Sequence, residues 1–279
     1  MLCPFPRLLK DALKDKRAVG AFNVGNMEML MGVLKAAEAS STPIIIQIAE
    51  KRFSHSPFSL IAPMMLAAAR KAKVEVAVEL DHGFTLLNVR RAMDLGFNAV
   101  MYDGSDFPID ENVAKTAAIA KEAHERGVAL EAEIGVLGGA EGGPEKIANC
   151  ASLEDIVSLG TESGCDALAV AIGNAHGHYK GEPKLNFDLL EKAHNALGDL
   201  PLVLHGGTGI SEDGFKRAIN LGIAKINIAT ANFDATAQAS VDYSKTLKDR
   251  ELSYFSLNEM VIEEVYETTL EHIRIFNNK

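Results

Sequence analysis

Short apolar segments of strand-forming residues recur eight times along the chain, and this repeat constrains the fold more than any other feature. The segments are nearly continuous in apolar residues, which is typical of parallel strands buried on both faces. Their starts lie roughly 25 to 38 residues apart, the length of one strand–helix unit. We predict strands at Ala18–Asn23, Ile44–Ile48, Val74–Leu80, Ala99–Met101, Ala129–Glu133, Ala167–Ala171, Leu202–Leu204 and Lys225–Ile228.

Helical patterns separate the predicted strands, with apolar residues at three- and four-residue intervals. The predicted helices are Met27–Ala39, Leu86–Leu95, Asn112–Glu125, Leu153–Ser163, Phe187–Ala196 and Gly214–Leu221. Eight such units indicate a single domain, residues 1–279, folded as an α/β protein with a closed (β/α)8, or TIM, barrel. The mostly helical stretch from Ala231 to Lys279 predicts a C-terminal helical extension. An open doubly wound sheet is the alternative, and the lack of a GxGxxG motif after the first strand argues against it.

Charge and composition exclude several classes of partner. The formal net charge is −10, which argues against nucleic acid because phosphate backbones attract basic surfaces. No apolar run is long enough to span a membrane, so no membrane partner is expected. The N-terminal segment lacks the apolar core of a signal peptide and predicts a short amphipathic helix. Cys3, Cys150 and Cys165 lack the spacing of a disulfide framework, so we expect a cytoplasmic protein.

Histidines follow three of the predicted strands, at the end of the barrel where function is located in this architecture. His82 follows the third strand, His176 the sixth and His205 the seventh. A single histidine is more often a hydrogen-bonded or surface residue, but three at one rim are typical of a catalytic zinc site with one open position. His178 could also reach the mouth, and we prefer His176 because it lies closer to the end of its strand.

A glycine-rich turn follows the seventh strand, at His205–Gly209, and Asn227 and Thr230 flank the end of the eighth. Barrels often bind phosphate at these two loops, where backbone N–H groups and a helix N-terminus face the anion. A tight turn that needs glycine only for its geometry is the alternative. Beside a predicted metal ligand, the turn favours a phosphorylated substrate.

Three glutamates are candidates for roles beside the metal. Glu141 lies in the glycine-rich connection Val136–Ala151, and a long loop inside a compact barrel is usually functional. Its carboxylate could move in as a general base once substrate binds, whereas an exposed glutamate on a solvated loop is an equal alternative. Glu131 and Glu133 share one face of the fifth strand. Buried carboxylates need partners, so we expect both to support the metal histidines.

The order of these motifs resembles that of the class II fructose-bisphosphate and tagatose-bisphosphate aldolases. The resemblance runs from about Ala18 to Thr230. The segments that carry it are AFNV at Ala21–Val24, LDHG at Leu80–Gly83, YDGSDFPIDEN at Tyr102–Asn112, EAEIGVLGG at Glu131–Gly139, AVAIGNAHGHY at Ala169–Tyr179, LVLHGGTGIS at Leu202–Ser211 and AKINIAT at Ala224–Thr230.

By this resemblance, His82, His176 and His205 bind one Zn²⁺, and the chain cleaves a ketose phosphate reversibly to dihydroxyacetone phosphate and an aldehyde. The zinc stabilises an enediolate as a Lewis acid, Asp81 is the acid/base at the hydroxyl oxygen, and Glu141 removes the proton from dihydroxyacetone phosphate. No lysine Schiff base is required. The resemblance also implies a monovalent cation, Na⁺ or K⁺, near the loop glycines and a homodimer or homotetramer. The implied substrate-binding residues are Asn23, Gly177, Gly206, Gly207, Thr208, Asn227, Ala229 and Thr230.

The chain departs from the family pattern at positions that are expected to bind the aldehyde half of the substrate. Ala229 stands where many members have Asp or Asn, as in tagatose-type enzymes. Phe233 and Leu252 stand where bisphosphate aldolases place arginines for the second phosphate, and the basic pair Lys51–Arg52 is a candidate substitute. We therefore expect a tagatose-type or ketose 1-phosphate substrate rather than fructose 1,6-bisphosphate.

Two other functions are alternatives. A metal-dependent hydrolase of the amidohydrolase type carries an HxH motif on its first strand, whereas this chain has Ala-Phe-Asn-Val there. A non-catalytic sugar-phosphate-binding protein could use the same scaffold. The presence of both Asp81 and Glu141 argues against the second alternative, because binding alone needs no proton-transfer groups.

Overall fold

A closed barrel of eight parallel strands forms the centre of the molecule. The computed structural model describes residues 1–137, 150–179, 181, 183–247 and 251–278. The strands pair in sequence order, and the first pairs with the eighth, so the predicted TIM barrel is confirmed. Every strand residue is buried, as expected when helices cover a parallel sheet. The strands are β1 (Val19–Asn23), β2 (Ile44–Ala49), β3 (Val76–Gly83), β4 (Ala99–Tyr102), β5 (Ala129–Ile134), β6 (Ala167–Val170), β7 (Leu202–Leu204) and β8 (Ile223–Ile228).

Helices alternate with the strands, and several begin after a residue whose side chain accepts a backbone N–H of the first turn. Thr85 caps one helix in this way, and Ser152 and Ser211 cap two others. The helices are α1 (Phe5–Lys14), α2 (Met27–Ala39), α3 (Phe58–Lys71), α4 (Leu86–Leu95), α5 (Ile109–Glu125), α6 (Leu153–Glu162), α7 (Phe187–Leu197), α8 (Glu212–Asn220), α9 (Thr230–Thr246) and α10 (Tyr254–Phe276), with a 3₁₀ turn at Glu50–Ser54.

Helix α3 was absent from the predicted helices. Pro63 lies inside it, and proline in a helix interior removes a hydrogen bond and crowds the preceding turn. Burial compensates for this local cost, because the helix buries an apolar face that includes Ile61, Met65 and Leu66. Tertiary packing thus outweighs local propensity at this position.

Strand β3 extends three residues further than predicted, and this changes the position of two site residues. Asp81 and His82 belong to the end of the strand rather than to the loop after it. The pairing of β3 with β4 is irregular between Leu80 and Gly83, and His82 has a φ of 42° in the left-handed region. This kink at the strand end is uncommon for a residue other than glycine, and such conformations concentrate at functional sites.

Helix α1 closes the amino-terminal end of the barrel. It is the short amphipathic helix predicted for the N-terminus, and it buries Phe5, Leu8 and Leu9. These side chains pack against inward-facing strand residues such as Val19 and Ile45. The barrel is therefore filled from this end, which leaves the opposite rim for a binding site.

The predicted C-terminal helical extension is confirmed as α9 and α10. Helix α10 packs against α2 and α9, and its last residue, Phe276, accepts a hydrogen bond from the N–H of Ala18 at 2.9 Å. Within the described residues, none of the helices combines the length and the apolar character needed to cross a membrane.

Truncation of Leu8 tests the role of α1. Leu8 is 1% exposed, so Leu8→Ala should lower the free energy of unfolding by about 2–5 kcal/mol through lost apolar contacts and a residual cavity. The matched control is Leu87→Ala, because Leu87 is 76% exposed and its truncation should change the free energy by no more than about 0.5 kcal/mol. Urea unfolding measures both. Equal losses in the two variants would show that α1 does not contribute to the core.

Candidate metal centre and active site

Three imidazoles lie together at the carboxyl-terminal rim of the barrel. His82 ends β3, His176 lies in the loop after β6, and His205 directly follows β7. One ring nitrogen of each lies within 4.8 Å of the others, and His82 Nε2 is 3.1 Å from His205 Nδ1. All three residues are buried. His178, the alternative to His176, is instead exposed and forms an ion pair with Asp234 at 3.2 Å.

Carboxylates hold the outer nitrogens of two of these rings. Asp103 Oδ2 lies 3.0 Å from His82 Nδ1, and Glu131 Oε1 lies 2.9 Å from His205 Nε2. A ring that donates one N–H to a carboxylate presents the lone pair of its other nitrogen. His176 Nε2 is buried without a hydrogen-bond partner among the described residues. The three nitrogens and their carboxylate partners therefore fit a zinc ion.

The charges around the rings favour a cation. Burial alone would lower the pKa of His82, but the charge of Asp81 and the hydrogen bond with Asp103 outweigh burial and raise that pKa to about 10. Burial and the neighbouring His82 lower the pKa values of His176 and His205. Neutral imidazole is the form that binds metals, and the surrounding carboxylates stabilise positive charge at this position.

Glu133 lies close enough to the imidazoles to be a potential metal ligand itself. Its Oε2 is 3.2 Å from His205 Nδ1 and 3.7 Å from His82 Nδ1. Burial and the charge of Asp103 raise the pKa of Glu133 well above its ordinary value. Together with His82 and Asp103 it forms a second group of atoms that could hold a metal.

Asp81 is held in place by amide side chains. Its Oδ2 accepts a hydrogen bond from Asn23 Nδ2 at 2.9 Å, and its Oδ1 accepts one from Asn227 Nδ2 at 3.1 Å. Gln47 Nε2 in turn donates to Asn23 Oδ1 at 2.8 Å. Asp81 Oδ1 lies 3.9 Å from His82 Nε2, so a fixed carboxylate faces the imidazole cluster.

A small cavity adjoins His176. It lies at the N-terminus of α9, and the hydroxyl of Thr208 accepts a hydrogen bond from the N–H of Ala231 in that helix at 3.0 Å. All eight predicted substrate-binding residues line it, together with Asp81 and His176: Asn23, Gly177, Gly206, Gly207, Thr208, Asn227, Ala229 and Thr230. Backbone N–H groups of glycine turns and a helix N-terminus suit an anion such as phosphate.

A larger pocket, open to solvent, lies at the opposite end of the barrel beside the N-terminal segment. None of the predicted site residues that the structure describes lines it, and apolar groups from residues such as Phe5 and Val128 make up much of its wall. We therefore place the candidate active site in the smaller cavity at the carboxyl-terminal rim, which Asp81 and His176 line.

The loops after β6 and β7 touch, and glycine makes this contact possible. The hydroxyl of Tyr179 donates to the carbonyl of Gly206 at 2.9 Å, and Asn174 Nδ2 donates to the carbonyl of His205 at 2.9 Å. Gly206 has a φ of 64°, and a Cβ there would lie 2.1 Å from the carbonyl oxygen of Ala175. The lack of a side chain at Gly206 thus allows the turn after His205 to lie against the loop after β6.

Several functional contacts were not predicted from the sequence. Asp103 and Gln47 were not assigned roles, although Asp103 lies within the YDGSD segment. The available signal was a charged or amide residue inside or directly after an apolar strand, because such a group must find a partner when buried. Glu141, the predicted general base, lies outside the described residues.

Comparison with known proteins decides the family. A family model described as "Fructose-bisphosphate aldolase class-II" matches residues 4–279. The chain belongs to this family. Class II aldolases are in general zinc-dependent, and the cluster of His82, His176 and His205 is compatible with that metal.

Named relatives are also aldolases. A fructose-bisphosphate aldolase from Geobacillus stearothermophilus is 40% identical over 245 residues, which cover 85% of this chain and 84% of that protein. A 6-phospho-5-dehydro-2-deoxy-D-gluconate aldolase from Shouchella clausii is 39% identical over 230 residues, which cover 81% of this chain and 78% of that protein. The crystal structure of the YdjI aldolase from Escherichia coli K12 has a TM-score of 0.88 at 36% identity, and the alignment covers 99% of this chain and 97% of that one. The chain is thus an aldolase, a carbon–carbon lyase.

Two glycine substitutions test the contact between the loops after β6 and β7. Gly206→Ala should place a Cβ against the carbonyl of Ala175, displace the turn after His205 and lower kcat about 100-fold, the typical effect of a shift near 1 Å in a catalytic group. The control is Gly127→Ala, because Gly127 has a similar φ of 70° but no atom within 4 Å of a Cβ. The free energy of unfolding of this control should fall by only roughly 1–2 kcal/mol, because alanine is strained at a left-handed φ, and its activity should not change. Steady-state kinetics and thermal unfolding measure both, and equal losses of activity would contradict the role of the contact.

Proposed function

We propose that the chain catalyses the reversible aldol cleavage of a ketose phosphate to dihydroxyacetone phosphate and an aldehyde, with His82, His176 and His205 as the zinc ligands. The observation that carries the proposal is the cluster of three buried imidazoles, one of which, His176, borders the same small cavity as Asp81. When bound there, zinc supplies Lewis-acid stabilisation of negative charge on the ketone oxygen of the substrate.

Asp81 is the proposed acid and base at the hydroxyl that becomes the aldehyde. In cleavage its carboxylate accepts the proton of this hydroxyl as the carbon–carbon bond breaks, and in condensation it returns the proton. The hydrogen bonds from Asn23 and Asn227 support this role because they fix both carboxylate oxygens at the wall of the cavity. A fixed group transfers a proton without first losing rotational freedom.

Glu141 is the proposed base for the carbon of dihydroxyacetone phosphate. This rests on the family resemblance of its sequence position, ten residues after Glu131, since Glu141 lies outside the described residues.

The glycine turns and the N-terminus of α9 are the proposed binding site for the phosphate of dihydroxyacetone phosphate. Gly177, Gly206 and Thr208 border the cavity from the loops after β6 and β7, and Thr230 borders it from the first turn of the helix. The same loops are the proposed site of a monovalent cation, and carbonyl groups there would bind it.

The proposed substrate is a tagatose-type ketose or a ketose 1-phosphate rather than fructose 1,6-bisphosphate. Phe233 supports this, because an apolar ring stands at a sequence position where bisphosphate enzymes place an arginine. Arg52, a candidate substitute, lies with its guanidinium 5.1 Å from the centre of that ring. Ala229 lines the cavity without a polar group to hold a substrate hydroxyl. The name of the Shouchella clausii relative also describes a substrate with a single phospho group.

A coupled assay for the release of dihydroxyacetone phosphate tests the reaction and the substrate together. The substrates are a panel of ketose 1-phosphates, tagatose 1,6-bisphosphate and fructose 1,6-bisphosphate. A chelator should abolish the activity and zinc should restore it, with the highest kcat/KM for a ketose 1-phosphate or the tagatose compound. Fructose 1,6-bisphosphate as the best substrate would overturn the specificity, and no release from any substrate would overturn the proposed reaction.

Asp81→Asn tests proton transfer separately from metal binding. The amide keeps the shape of the carboxylate but cannot accept the hydroxyl proton, so kcat should fall about 10²- to 10⁴-fold. Zinc content should remain at the wild-type level, because Asp81 is not a proposed ligand. Asp234→Asn is the control, since this exposed carboxylate pairs with His178 outside the cluster. Wild-type kcat in the Asp81 variant would show that another group transfers the proton.

A further inference from the structure

Lys225 lies in the interior of the barrel and takes no part in the chemistry proposed above. It belongs to β8 and has no exposed surface. Its Nζ lies 2.8 Å from Glu131 Oε2 and 2.9 Å from Glu79 Oε2. An ammonium group is costly to remove from water unless negative charges surround it, so these three side chains form one buried charge cluster.

Glu131 connects this cluster to the imidazoles. Its Oε2 faces Lys225, and its Oε1 lies 2.9 Å from His205 Nε2. Each oxygen of this carboxylate thus lies beside a different partner. When His205 donates from Nε2 to Glu131, the neutral ring keeps its lone pair on Nδ1. Nδ1 is the nitrogen that faces His82 in the cluster, 3.1 Å from His82 Nε2.

We propose that Lys225 is a positioning residue for the metal centre. It fixes the rotation of the Glu131 carboxylate, and Glu131 orients the ring of His205 with Nδ1 toward the zinc ion. The inference rests on the proposed role of His205 as a ligand. Among the described residues, no other ammonium or guanidinium group forms an ion pair with Glu131. Removal of Lys225 should therefore leave the carboxylate, and then the ring, free to turn.

Glu79 offers a matched comparison within the same cluster. It is as buried as Lys225 and lies 2.9 Å from its Nζ, and among the residues that the structure describes no hydrogen bond or ion pair joins it to the three proposed ligands. Glu79→Gln removes one buried charge and leaves the path from Lys225 through Glu131 to His205 intact. A general disturbance of the buried charges should affect both variants, whereas loss of positioning should affect only the lysine variant.

The test is the zinc dissociation constant of the full-length protein, measured by competition with a chromophoric chelator. Lys225→Met should weaken zinc binding about 10- to 100-fold, and Glu79→Gln less than about 3-fold, since loss of a group that orients a ligand typically costs one to two orders of magnitude. The visible spectrum of the cobalt-loaded Lys225→Met protein should also differ from that of the wild type, because one ligand is held less firmly. Circular dichroism and the unfolding temperature establish that the variants are folded.

Wild-type zinc affinity in folded Lys225→Met, or an equal loss in Glu79→Gln, overturns the proposal. If Lys225→Met does not fold, the double variant Lys225→Met/Glu79→Gln, which removes one charge of each sign, is measured with the same expectation. Failure of both to fold also overturns it, because Lys225 would then support the whole barrel. If instead His205→Ala binds zinc as tightly as the wild type, the proposed metal site fails, and the positioning role fails with it.

Discussion

Hydrogen bonding between β1 and β8 closes the sheet into a barrel, and the arrangement of the candidate site depends on this closure. His82 and His205 are 123 positions apart in sequence, yet their ring nitrogens lie 3.1 Å apart. They meet because all eight parallel strands end at one rim, and the side chains that point inward there face the same axis. Asn227 reaches Asp81 across this axis in the same way. An open sheet would spread these residues along an edge.

The closed barrel also isolates charged groups from water, so each of them must be balanced by a neighbour. Burial alone would lower the pKa of Lys225, but the charges of Glu131 and Glu79 outweigh burial and raise that pKa above its ordinary value. Burial and the charge of Glu131 raise the pKa of Glu79 well above its ordinary value. The hydrogen bond with His82 overcomes the effect of burial on Asp103 and lowers its pKa to about 2. The interior is therefore a connected set of charges, and the side chains at the proposed metal site contact others deeper in the barrel.

The sequence predicts the barrel and the inner ring of the site because both follow from local patterns. Apolar runs locate the strands, and a histidine next to a strand end must lie at the rim, as His176 and His205 do. Contacts between strands are harder to predict, since they depend on register and on the slant of the strands across the barrel. Lys225 and Gln47 were missed for this reason, although a charged or amide side chain within an apolar strand signals a buried partner. The left-handed φ of His82 likewise depends on the irregular pairing of β3 with β4.

The most direct test of the metal centre is X-ray diffraction from crystals of the zinc-loaded protein, with data collected on both sides of the zinc absorption edge. The account predicts one anomalous peak within bonding distance of His82 Nε2, His205 Nδ1 and His176. The outer nitrogens of His82 and His205 should remain on Asp103 and Glu131, as they are in the present structure. A zinc ion bound only by the other group of potential ligands, His82 Nδ1 with Asp103 and Glu133, would contradict the account, as would the absence of zinc from the imidazole cluster.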